Sequence, residues 1–246
     1  WFECNLKTLE AAILAVRNRF DNTENRTLDF KMRPEQEEAV NKTSRYLKLS
    51  KKENKNKTPH FLWNAKMRFG KTFATYQLAK KEKWKKKLIL TFKPAVQNSW
   101  REDLELHKDF EGWQFISKKN FDKHRIDKNK PIVCFGSFQD YLGKNKLGGI
   151  KIKNEWVHSI NWDCVVLDEY HFGAWRENAK ELIGIEGKKE SNFIVGEGLD
   201  YFDEALMPIT TNFYLYLSGT PFRAITTGEF LENQIFNWSY TDEQSA

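Results

Sequence analysis

Long hydrophobic runs are missing from this chain. None of its apolar stretches approaches the roughly 18 residues that a membrane span requires, so no membrane role is expected. Cysteine is scarce: Cys4, Cys134 and Cys164 are the whole complement, and they form no pair pattern. Cys134 and Cys164 lie inside apolar, strand-like runs. Buried free thiols in a reducing cytoplasm are the expectation, rather than disulfides, a metal site or a nucleophile. There is no signal peptide, and residue 1 is Trp rather than Met, so the chain reads as a piece of something longer. Internal repeats and true low-complexity tracts are also absent.

What is present is an ordinary globular composition. Charged residues make up 30% and hydrophobic residues 40% of 246 positions. That length suits one α/β domain with a sizeable core, or two small ones. The net charge is +6, and much of the excess sits in residues 50–58 (SKKENKNKT) and 80–87 (KKEKWKKK). A basic excess favours a polyanionic partner. The same runs also fit a solvated loop and helix end, because Lys and Asn are abundant throughout.

Periodicity gives the plan. Leu6, Leu9, Ile13, Val16 and Phe20 have helical spacing, with Asn5 as a candidate cap. Residues 21–27 are a polar break. Pro34 suits the first turn of a helix running to about Leu49. Short apolar runs then alternate with helical stretches. Strands are expected at 61–64, 87–92, 113–116, 131–135, 163–167 and 213–217. Helices are expected at 72–80, 94–107 and 137–142. Between residues 173 and 208 the pattern weakens, with helical turns at 177–183 and 203–207 around a glycine- and charge-rich stretch at 184–198. Buried strands separated by helices predict a doubly wound, mostly parallel α/β sheet with helices on both faces. In that plan ligands sit outside the carboxyl ends of the strands.

Three motifs fall at such ends. Residues 61–72 read FLWNAKMRFGKT, an apolar run that closes on Gly70-Lys71-Thr72 before a helix. This is a phosphate-binding loop, with Ala65 in place of the usual first Gly. Backbone N–H groups would wrap the β-phosphate, Lys71 would reach the β/γ oxygens, and Thr72 would ligate Mg²⁺. The second motif is Asp168-Glu169 after Asp163–Leu167. Asp168 would hold Mg²⁺ and Glu169 would polarise the attacking water, the division of labour that phosphoryl transfer needs. Alone, such a pair is also an ordinary solvated turn, and a lone His such as His171 is more often packed than functional. The third is Ser218-Gly219-Thr220-Pro221. Neither a guanine-reading Asn-Lys-x-Asp nor an ABC-type signature is present.

Together these motifs resemble the first RecA-like domain of superfamily-two DExH/DEAD-type helicases and translocases. Asp168-Glu169-Tyr170-His171 is similar to the DExH box. Residues 28–36 resemble the adenine-recognising Q motif, with Arg33-Pro34-Glu35-Gln36 in place of Arg-Pro-Tyr-Gln. Ser218-Gly219-Thr220-Pro221 resembles motif III, Thr91-Phe92-Lys93-Pro94 motif Ia, and Gly136-Ser137-Phe138-Gln139 a further strand-contacting segment. The resemblance covers about residues 28–224. It is strongest to the motor (R/Res-type) subunits of restriction enzymes, on the wording of residues 67–72 and 217–223.

The resemblance implies a RecA-like ATP-binding domain over residues 28–246, after a helix and linker at 1–27. It implies ATP and Mg²⁺ as ligands. Nucleotide contacts would come from Arg33, Gln36, Ala65, Lys66, Met67, Arg68, Phe69, Gly70, Lys71 and Thr72. Lys71, Asp168 and Glu169 would be catalytic, with Thr72 and Asp168 on the metal. His171, Ser218, Gly219 and Thr220 would couple the site to nucleic acid, touched by Lys93, Ser137 and Gln139, with Thr226-Thr227 a further candidate. The implied function is a DNA helicase or translocase motor of a restriction-modification-like or mobile-element enzyme. DNA is favoured over RNA, and a nuclease or a methyltransferase/specificity component is an implied partner. The alternatives are a DExH RNA helicase domain and a degenerate ATP-gated nucleic-acid-binding scaffold. Relatives complete the site with arginine fingers from a second RecA-like domain, for which residues 222–246 are too short; Arg223 reads as a local or nucleic-acid contact. Weak ATP binding and poor hydrolysis are therefore expected of this stretch alone. Arg68 stands where relatives carry Gly, and Phe69 where Ser, Thr or Ala is usual. If the backbone is not left-handed there, Arg68 costs little, and Lys66 and Arg68 are expected to point to solvent.

Overall fold

The computed structural model describes residues 26–53, 58–117, 126–127, 129–141, 154–169, 209–219 and 230–245. The features expected at 5–20, 177–183, 184–198 and 203–207 lie outside the described residues. So do Cys4, Tyr170, His171, Thr220, Pro221, Arg223, Thr226 and Thr227.

Seven strands form one sheet in the order β3-β4-β2-β6-β8-β1-β9. They are β1 (His60–Ala65), β2 (Lys86–Thr91), β3 (Gln114–Ser117), β4 (Ile132–Ser137), β6 (Cys164–Asp168), β8 (Tyr214–Ser218) and β9 (Ile235–Trp238). Every neighbouring pair is parallel. Two short strands, β5 (Asn161–Trp162) and β7 (Thr210–Thr211), pair separately. The helices are α1 (Pro34–Glu53), α2 (Lys71–Lys81), α3 (Gln97–Leu106), α4 (Phe138–Tyr141), α5 (Glu155–Ser159) and α6 (Tyr240–Ser245).

The central strands carry apolar runs because both faces of the sheet are covered. Alternate residues of one strand enter two different cores. Phe61, Trp63, Ile89, Val166, Leu215 and Leu217 pack with Ala39 and Val40 of α1, Phe73, Tyr76 and Leu78 of α2, and Trp100 and Leu104 of α3. Leu62, Leu88, Leu90, Val165, Leu167 and Tyr216 pack on the other side with Phe138 and Tyr141 of α4 and Val157 of α5. This is the doubly wound arrangement that the spacing predicts. Cys134 and Cys164 are buried free thiols within it.

Three details depart from the expected elements. Residues 94–107 do not start as an α-helix: Pro94–Val96 is a 3₁₀ turn, and α3 begins at Gln97. Asp163 is not a strand residue; its carboxylate accepts the backbone N–H groups of Lys85 and Lys86 at 2.7 and 2.8 Å. The strand at Tyr214–Ser218 is not the last, because β9 returns to the edge beside β1. At the other end, Arg26 already belongs to the folded body. Its guanidinium donates to the carbonyls of Leu104 and His107, both at 2.6 Å.

Candidate functional site

Parallel pairing carries several strand ends to one edge of the sheet. Asn64 of β1 lies opposite Ser218 of β8, and Thr91 of β2 lies between Asp168 of β6 and Ser137 of β4. The loop after β1, the carboxylates at the end of β6 and Ser218-Gly219 at the end of β8 therefore share that edge.

The loop Lys66–Gly70 is built by residues far away in sequence. Phe69 is its anchor, buried against Trp63 and Phe236. The Lys66 N–H donates to the Trp238 carbonyl at 3.1 Å, so β9 holds the loop's first residue. Arg33 and Gln36 reach across from α1 and its entry. The Arg33 guanidinium donates to the carbonyls of Arg68 at 3.1 Å and Phe69 at 2.6 Å, and Gln36 Nε2 donates to the Phe69 carbonyl at 2.7 Å. Gln36 Oε1 accepts the Arg33 N–H at 2.9 Å. The carboxamide expected to read adenine is thus a brace between the α1 entry and the loop.

Two residues of the loop are left-handed, Arg68 (φ 68°) and Gly70 (φ 78°). Arg68 is therefore not conformationally free of cost: a non-glycine residue there costs about 1–2 kcal/mol. The Arg33 bonds to the Arg68 and Phe69 carbonyls hold the turn in place. Arg68 and Met67 are exposed, whereas Lys66 is buried, against the expectation that it faces solvent. Gly70 is required twice over. Its φ suits glycine, and a Cβ would stand 2.6 Å from Gln36 Nε2.

Gly70 also precedes α2 without a side-chain cap. The first N–H groups of that helix have no intrahelical partner and face the loop, a ready cradle for an anion. Lys71 Nζ folds into the cradle and donates to the carbonyls of Ala65 at 2.7 Å and Lys66 at 3.2 Å. Burial lowers its pKa, and the nearby charges of Asp168 and Glu169 oppose that fall. Thr72 follows on the same first turn.

Asp168 is 7% exposed. One carboxylate oxygen accepts the Glu169 N–H at 2.9 Å, and the other accepts the Trp100 indole N–H at 2.8 Å. Burial pushes its pKa up, while the Trp100 bond and the Lys71 charge pull it back. Glu169 is left-handed (φ 57°), which turns the chain sharply out of β6. It ion-pairs with Lys93 at 3.4 Å. Among the described residues no cluster of three His, Cys, Asp or Glu side chains could cage a metal alone. A single buried carboxylate at such a strand end instead suits a hard cation that brings other ligands with it, such as Mg²⁺ on a triphosphate.

The remaining expected residues divide. Ser218 is buried at the end of β8, and a Cβ on Gly219 would meet the Ala65 carbonyl at 3.9 Å, so Gly219 lies against the end of β1 where the Lys66–Gly70 loop begins. Gln139 is exposed. Ser137 is buried and caps α4, its hydroxyl exchanging hydrogen bonds with Asp140. His171 and Thr220 lie outside the described residues. Trp100 was not singled out from sequence; with Leu104 it reads only as the apolar stripe of α3.

Residues 29–223 match the family model of the type III restriction enzyme, res subunit (ResIII). The chain is 34% identical over 238 residues to the "Putative type II restriction enzyme and methyltransferase RM.MpnORF110P C-terminus" of Mycoplasma pneumoniae. That alignment covers 87% of this chain and 32% of the relative, so the chain spans about a third of the relative's length. In fold it is similar to the Sulfolobus solfataricus SWI2/SNF2 ATPase core in complex with dsDNA, with a TM-score of 0.51 at 16% identity. The match covers 90% of this chain and 40% of that one.

Proposed function

The chain belongs to the ResIII family, and from that premise we propose that it is the first RecA-like, ATP-hydrolysing domain of a DNA translocase or helicase within a restriction enzyme. One observation supports this best. Lys71, the first residue of α2, folds its ammonium back onto the Ala65 and Lys66 carbonyls at the end of β1, and parallel pairing brings Asp168, at the end of β6, to the same sheet edge. A phosphate cradle, a cation and two carboxylates at one sheet edge are what phosphoryl transfer to water requires.

Each side chain has a distinct task in this reading. The α2 N–H groups and Lys71 bind and orient the phosphates, Lys71 exchanging two loop carbonyls for phosphate oxygens. Thr72 and Asp168 would hold Mg²⁺, which supplies charge neutralisation on the phosphate chain. Glu169 accepts a proton from, or orients, the attacking water. Gln36 and Arg33 hold the loop, and Gln36 keeps one N–H and one lone pair for the adenine edge. The DNA-bound state of the SWI2/SNF2 core and the naming of the Mycoplasma relative support DNA as the track. Lys93, Gln139 and Ser218-Gly219 are proposed to face it.

The test compares three proteins in full-length form. Lys71→Ala should weaken nucleotide binding at least tenfold. Glu169→Gln should bind nucleotide normally but lose about 10²-fold or more in kcat. Duplex DNA should stimulate the unmodified protein more than single strands or RNA do. Stimulation by RNA alone would move the reading to an RNA helicase, and unaltered activity in Lys71→Ala would return it to a scaffold.

A further inference from the structure

We propose that Trp100 is a positioning residue for the metal-binding carboxylate, its indole N–H fixing Asp168 in the orientation that receives Mg²⁺. The inference rests on the reading of this edge as a Mg²⁺–nucleotide site. Trp100 lies on α3, 68 positions before Asp168, and touches no atom expected to react. Its indole is almost wholly buried (1% exposed) and donates to Asp168 Oδ2 at 2.8 Å. The Glu169 N–H takes Oδ1. Two neutral donors, one on each oxygen, leave the carboxylate little freedom to rotate, with its remaining lone pairs available to a cation.

The indole is itself held from the nucleotide side. Tyr76, on the helix that starts at Lys71, donates its hydroxyl to the Trp100 carbonyl at 2.7 Å. The Tyr76 and Trp100 rings meet edge to face, with centroids 5.4 Å apart. A strut therefore runs from the phosphate-loop helix through Tyr76 and Trp100 to Asp168. It ties the two halves of the proposed magnesium site, Thr72 and Asp168, through the protein rather than through the ion. Partners that orient a ligand in this way typically contribute 10–100-fold to metal affinity.

The alternative is that a buried indole N–H and a buried carboxylate merely satisfy each other. The experiment separates the two. Trp100→Phe keeps an aromatic ring and removes the donor; Trp100→His restores a ring N–H. Binding of a fluorescent ADP analogue to the full chain is measured in EDTA and then titrated with Mg²⁺. The expected result for Trp100→Phe is metal-free affinity within twofold of the unmodified chain and a Mg²⁺ half-saturation raised about tenfold, partly restored in Trp100→His. An unchanged Mg²⁺ half-saturation overturns the proposal. So does an equal loss of metal-free and metal-supported binding in both variants, which is the mark of a packing role. If the unmodified chain binds no nucleotide, it is the reading of the site that fails; if it binds nucleotide without any Mg²⁺ effect, the proposal for Trp100 fails.

Discussion

Lys87 is a cation inside a hydrophobic layer, and its surroundings say how it is tolerated. It is 2% exposed on β2. Its ammonium donates to the Trp84 carbonyl at 3.2 Å and sits 3.6 Å from the centre of the Trp113 ring. Burial brings its pKa down to about 7, with Asp163 pulling the other way. The unfolded chain keeps this proton up to about pH 10.4. Between those values the unfolded state binds more protons, so stability rises with pH across that window. Below pH 7 both states are charged and the full cost of the buried cation remains. Lys87→Met removes the group, and its effect must therefore depend on pH. The stability of Lys87→Met relative to the unmodified chain should fall by about 2 kcal/mol from pH 7 to pH 9. Urea unfolding of both proteins at the two pH values measures it, and a pH-independent difference would show that Lys87 stays charged in the fold.

At the scale of elements, the segment from β2 into α3 serves both the carboxylates and the surface expected to meet nucleic acid. Trp100 on α3 holds Asp168, and Lys93, in the loop before it, pairs with Glu169 at 3.4 Å. Lys93 is 60% exposed, so the pair contributes at most about 1 kcal/mol and is easily broken. A nucleic-acid phosphate would compete for Lys93 and take this cation away from Glu169. Lys93→Gln should therefore raise ATP turnover without nucleic acid severalfold and shrink the ratio of stimulated to basal rate. A basal rate that stays the same or falls refutes this. The central strands were legible because they are buried on both faces, which writes an apolar run into the sequence. The end motifs were legible because Gly70-Lys71-Thr72 and Asp168-Glu169 are local. β9 was not: it has four residues at the sheet edge, and exposed Asn237 interrupts Ile235, Phe236 and Trp238. The left-handed turn at Arg68 was not legible either, since Arg33 holds it from 35 positions away. The Trp100–Asp168 bond has no local signature, because a tryptophan at helical spacing with Leu104 looks the same whether or not its N–H has a charged partner.

Across the whole molecule, the sheet seals two cores and gathers the carboxyl ends of β1, β2, β4, β6 and β8 along one edge, the proposed site. Of the described arginines, Arg26 is committed to the Leu104 and His107 carbonyls and Arg33 to the Arg68 and Phe69 carbonyls, while Arg101 pairs with Glu105 on the surface at 3.9 Å and Arg68 is exposed on the Lys66–Gly70 loop. Lys93 ion-pairs with Glu169 at 3.4 Å, and Lys71 is the cation of the loop itself. One lysine in the cradle suits binding, but charge that grows on the γ-phosphate during transfer calls for additional donors. Loss of arginine-finger stabilisation costs about 10³–10⁵ in rate. The proposed source is a second RecA-like domain closing over this edge, consistent with a relative about three times as long. The 246-residue chain by itself should then bind ATP weakly and hydrolyse it at least 10³-fold more slowly than a longer form carrying that domain, with or without DNA. Single-turnover hydrolysis on the two forms, at saturating nucleotide, separates weak binding from a slow step. Turnover of tens per second by the chain alone, stimulated by DNA, would mean that this edge is already complete.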